Sequence, residues 1–69
     1  MDKHEWKSFL RFIDQGNVSE LQDRKEKLQK ALTQVSDSGV RSDIRRMLRL
    51  LDEEVLIRQN ISSRRTTSR

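Results

Sequence analysis

Residues 40–61 read VRSDIRRMLRLLDEEVLIRQNI, and the spacing of their apolar side chains decides the fold. At about 100° per residue, Val40, Ile44, Met47, Leu48, Leu51, Val55 and Ile61 share one broad helical face. Leu50 and Ile57, one heptad apart, fall to one side of that face, and Leu56 falls on its far flank. A single partner helix covers one such face. The stretch therefore holds more apolar surface than one neighbour can hide, and something further must pack there.

Immediately before it, Ser36-Asp37-Ser38-Gly39 gathers turn formers, with Gly39 placed to end a preceding helix. That helix is expected over about residues 19–36. Its N-cap is Asn17 or Ser19, each with a residue three places on, Glu20 or Gln22, that can complete a capping box. Val18, Leu21, Leu28, Leu32 and Val35 repeat as a heptad seam interrupted once by Lys25. On the opposite side, Glu20 with Arg24, Asp23 with Lys27 and Glu26 with Lys30 each place an acid four residues before a base, a pairing worth ~0.2–0.5 kcal/mol. So short a connection forces the two helices to lie as antiparallel neighbours, a helical hairpin.

At the start of the chain, about residues 2–15 form a short amphipathic helix with Trp6, Phe9, Leu10 and Ile13 on one face and Phe12 off it. Gly16 is expected to close this helix in the left-handed conformation. Residues 62–69, SSRRTTSR, contain no apolar side chain and read as a flexible basic tail. The fold class expected is all-α: a single domain over residues 1–61, an antiparallel hairpin preceded by a short helix and packed as an oligomeric bundle.

Composition bears on the oligomer. A chain of 69 residues buries only about 60% of the surface that its unfolded form exposes. Apolar residues make up 32% and charged residues 38%, with no cysteine and a single histidine, so neither disulfides nor a thiolate metal site can reinforce the core. Association, with a dimer favoured, is the remaining source of buried surface. Residues 50, 56, 57, 47 and 61, that is Leu50, Leu56, Ile57, Met47 and Ile61, are the expected interface on the last helix, joined by Trp6, Phe9 and Phe12 as aromatic anchors.

The charges are unevenly placed. The formal net charge is +4, and every basic residue after Ser38 is arginine: Arg41, Arg45, Arg46, Arg49, Arg58, Arg64, Arg65 and Arg69. Arginine's planar fork suits phosphate or carboxylate. Arg41, Arg45 and Arg49 form a row at i,i+4 spacing near the helix start, where cations also face the positive end of the helix dipole. Arg41, Arg45, Arg46, Arg49, Arg64, Arg65 and Arg69 are therefore the candidate anion or nucleic-acid contacts. Asp52 and Glu53 stand one turn on, where they can neutralise Arg49.

Catalysis is not expected. There is no cysteine, no tyrosine and no glycine-rich phosphate loop, and the adjacent Glu53 and Glu54 point about 100° apart on a helix. No cofactor or metal is implied. No apolar run approaches the ~18 residues of a membrane span, and the first residues lack a basic then apolar leader. The expected location is the cytoplasm, and the Asn60-Ile61-Ser62 acceptor triplet is discounted there. Two functions remain: a non-catalytic protein-interaction module or regulator, self-associating and docking on a larger protein, or a nucleic-acid-binding regulator that grips backbone phosphates without stacking on bases.

Overall fold

The computed structural model describes the backbone of residues 2–67 and the side chains of residues 2–60. It is all-helical, with three helices, α1 (Lys3–Gln15), α2 (Val18–Gln34) and α3 (Ser38–Thr67), and no strand among the described residues. Among these residues no helix is long and apolar enough to cross a membrane.

Each helix begins on a side-chain cap. Glu5 donates its N–H to Asp2 Oδ1 at 2.8 Å, and Asp2 donates its own N–H back to Glu5 Oε1 at 3.1 Å. Asn17 and Glu20 repeat this reciprocal pair at 2.8 and 2.9 Å, which settles the α2 N-cap on Asn17 rather than Ser19. Both pairs satisfy amide donors that a helix start leaves without partners. Asp37 caps α3, its Oδ1 accepting the Val40 N–H at 3.0 Å.

Three boundaries differ from expectation. α2 stops at Gln34, not Ser36, and Gly39 lies inside the first turn of α3 instead of ending α2. The Asp37 carboxylate starts a helix more effectively than glycine stops one. Gly16 is extended, at φ −73° and ψ 151°, and not left-handed. Its lack of a side chain answers crowding: a Cβ there would lie 2.9 Å from the Phe12 carbonyl oxygen. Finally α3 runs as Ser38–Thr67, past the expected end at Ile61. The side chains of Ile61 and of the proposed 62–69 tail lie outside the described residues.

The core is narrow. Phe9 and Ile13 of α1, Leu21 of α2, and Leu51 and Val55 of α3 form one buried cluster, against which Trp6, Phe12, Val18, Leu28, Met47 and Leu50 pack. Leu21 and Leu51 are wholly buried. Ile44 is also buried, whereas Val40, placed on the same face by its spacing, is 45% exposed because it sits in the first turn of the helix.

Polar contacts between the long helices follow one order, positions falling in α2 as they rise in α3. The Arg41 guanidinium donates to the carbonyls of Leu32 and Val35 at 2.6 and 2.9 Å. Lys25, the residue that interrupts the α2 seam, reaches across to Asp52 at 2.7 Å. Beyond them Arg58 donates to the carbonyls of Gly16 and Ile13, the latter at 2.6 Å, while pairing with Glu54 at 3.0 Å. Of the three acid–base pairs expected along α2, Asp23 with Lys27 forms at 3.3 Å. Glu20 is committed to its cap instead of to Arg24, and no ion pair joins Glu26 to Lys30 among the described residues.

Two substitutions separate these forces. Leu51→Ala, which empties a fully buried site, is expected to lower unfolding free energy by about 2–5 kcal/mol. Arg58→Met keeps the aliphatic stem but removes the donors to the α1 carboxy terminus, and should cost about 1–3 kcal/mol. Urea unfolding followed by far-UV circular dichroism measures both; an Arg58→Met protein as stable as the parent would contradict the anchoring role.

Candidate functional site

The arginines of α3 divide by what they touch. Arg41 is half-buried and turned toward the α2 carboxy terminus, so it is occupied in holding the fold. Arg49 pairs with Glu53 at 3.3 Å, both side chains more than half exposed. Such an exposed pair is worth roughly 0–1 kcal/mol and exchanges readily for another partner. The Arg46 guanidinium lies over the Trp6 ring, 5.4 Å from its centroid. A cation stacked this way is attracted by the ring face while the N–H groups in its own plane stay available. Arg45 is exposed and has no hydrogen-bond or ion-pair partner among the described residues.

Ser42, Asp43, Arg45, Arg46 and Arg49 together line a shallow recess of about 450 Å³ on α3. Three of the predicted anion contacts therefore do meet, in the company of Asp43, which is itself engaged. Arg64, Arg65 and Arg69 lie outside the described side chains. Residues 2–60 carry twelve basic and eleven acidic side chains, so the described body has a net charge of one and the last three arginines supply the other three charges.

The candidate interface residues divide in the same way. Phe9 is buried at 4% exposure, and Trp6, Phe12, Met47 and Leu50 pack against the core cluster. Trp6 and Phe9 meet edge to face, with ring centroids 6.0 Å apart, a favoured aromatic geometry. Phe12 carries the Arg24 guanidinium 4.3 Å above its ring. By contrast Leu56 and Ile57 remain 53% and 50% exposed, and as neighbours in sequence they point about 100° apart. Ile61 lies outside the described side chains.

Sequence reasoning missed Leu10, which it placed with the buried face of α1 but which is 50% exposed. It is the residue after Phe9 and so is rotated about 100° from it; the fully buried arc of α1 is only as wide as Phe9 and Ile13. Arg24 and Arg58 were also passed over as binding or anchoring groups. No local signal marks either one, because their partners lie on other helices.

Among the described residues there is no group of three or more His, Cys, Asp or Glu side chains arranged to hold a metal ion. No known protein family, curated protein or solved structure matches the chain.

The division among arginines is measurable. Arg45→Gln and Arg49→Gln should change folding stability by less than about 0.5 kcal/mol. Arg41→Gln, which leaves two carbonyls at the end of α2 without their charged donor, should cost about 1–3 kcal/mol. Thermal or urea unfolding of the three variants side by side checks the contrast, and equal effects would erase it.

Proposed function

We propose that the chain is a non-catalytic protein-interaction module, a small cytoplasmic regulator or adaptor. In this reading α2 and α3 form an antiparallel hairpin flanked by α1, and two copies associate as a helical bundle that can dock on a larger protein. The observation that carries it is the half-exposed state of Ile57, one heptad after the partly buried Leu50, with Leu10 and Leu56 similarly exposed. Among the described residues six apolar side chains are buried, Leu21 and Leu51 wholly, and four large ones remain about half in water. Fully burying a Leu or Ile contributes ~1.5–3 kcal/mol and covering the exposed half of one about half of that, so association through these side chains strengthens a protein whose own core is thin.

A second reading, nucleic-acid binding, draws on the recess that brings Arg45, Arg46 and Arg49 together. The full chain's net charge of +4 is compatible with it, since affinity for a polyanion comes mainly from the cations that displace its counterions.

Sedimentation at micromolar concentration is expected to show a dimer whose melting temperature rises with protein concentration. Leu10→Ser combined with Ile57→Ser should shift it toward monomer while preserving helix content, both positions being exposed. A parent protein that sediments as a stable folded monomer would overturn the reading. Titration with duplex DNA and with structured RNA at low and high salt decides the second reading. Binding with a salt dependence flattened by Arg45→Gln, Arg46→Gln and Arg49→Gln together would favour it, and absence of binding at low salt would remove it.

A further inference from the structure

A cleft of about 390 Å³ opens where the three helices meet, lined by His4, Glu5, Ser8, Phe9 and Phe12 of α1, Arg24 of α2 and Met47 of α3. It is shallow and open to solvent, with a volume in the ~300–1,000 Å³ range of small-ligand sites, which are mostly apolar with a few placed polar groups. Here Phe9, Phe12 and Met47 supply the apolar surface. Methionine's flexible thioether adapts to the shape of an occupant.

The polar groups have an unusual balance. Arg24 is half-buried, its guanidinium held 4.3 Å above the Phe12 ring, and it has no carboxylate partner among the described residues. Two acids stand close enough in sequence or space to neutralise the site, and each is committed elsewhere. Glu20, four residues before Arg24, has its carboxylate on the Asn17 N–H at 2.9 Å. Glu5, at the cleft wall, has its carboxylate on the Asp2 N–H at 3.1 Å. Both carboxylates keep their negative charge there, but neither forms an ion pair with Arg24, whose N–H donors have no carboxylate partner among the described residues. The Phe12 ring attracts that cation from 4.3 Å, and a guanidinium held over a ring can still donate N–H bonds to a carboxylate.

We propose that this cleft binds an apolar group bearing a carboxylate, an aryl or branched aliphatic body seated on Phe9, Phe12 and Met47 with its carboxylate on Arg24. The ligand chemistry has two sources, a free aromatic acid or an aromatic residue beside an acidic one in a partner segment. Neither depends on self-association.

Nuclear magnetic resonance titration of the full chain tests it with three probes: 3-phenylpropionate, its uncharged amide, and a capped peptide containing Phe-Glu. The acid is expected to shift the resonances of Ser8, Phe12, Arg24 and Met47 and to bind at least about ten-fold more tightly than the amide, the ratio that one charge-assisted hydrogen bond supports. Arg24→Gln should bring the ratio to about one. Ser8→Phe, at an exposed position on the cleft wall, should fill the site and abolish both. A peptide tighter than the free acid assigns the site to a protein segment, and the reverse assigns it to a small carboxylate; either supports the chemistry. Equal binding of acid and amide, or no shift at these residues with any probe at millimolar concentration, would overturn it. Sedimentation of the same samples keeps the result separate from the oligomer, because a monomer that binds the acid upholds the cleft, and a dimer that does not refutes it alone.

Discussion

The carboxy-terminal ends of α1 and α2 leave carbonyl oxygens that their own helices cannot satisfy, and both are completed by arginines that α3 extends to them. Arg58 reaches the carbonyls of Ile13 and Gly16, and Arg41 those of Leu32 and Val35. Neither α1 nor α2 has a basic residue in its last turn, and neither ends on a left-handed glycine. With both local devices absent, the donors come from a third element. A positive group at a helix carboxy terminus also answers the negative end of its dipole, so each contact combines a charge-assisted hydrogen bond with a favourable field.

This arrangement makes α3 the reference against which the other helices are placed. Arg41 and Arg58 lie seventeen positions apart, a span of ~25 Å along the axis, and Lys25 with Asp52 stands between them. The polar contacts hold the ends while Leu21 and Leu51 fill the middle. A lysine in the seam of α2 is unfavourable until an acid faces it, and the Asp52 carboxylate at 2.7 Å makes that register the favoured one. The partly exposed Lys25–Asp52 pair thus favours one alignment of a core whose packing is supplied by the apolar cluster.

The same economy of partners shapes the surface. Glu20 accepts the Asn17 N–H in its capping box and forms no ion pair with Arg24, although it lies four residues before it. Arg45 is exposed on α3, and Arg46 lies over the Trp6 ring with no carboxylate partner among the described residues. Local charge, not total charge, distinguishes these places, since residues 2–60 are nearly balanced.

Much of the helical order was legible in residue order alone. Asn17 with Glu20 is one of two helix starts legible through contacts three residues long, and the stripes holding Phe9, Leu21 and Leu51 follow from helical period. These are local relations, so sequence determines them. Which arginine anchors and which is free, and whether Leu50 or Ile57 is covered, were settled only by the tertiary structure. In each case the deciding atoms, such as the Gly16 carbonyl facing Arg58 forty-two positions away, belong to distant parts of the chain brought together by packing.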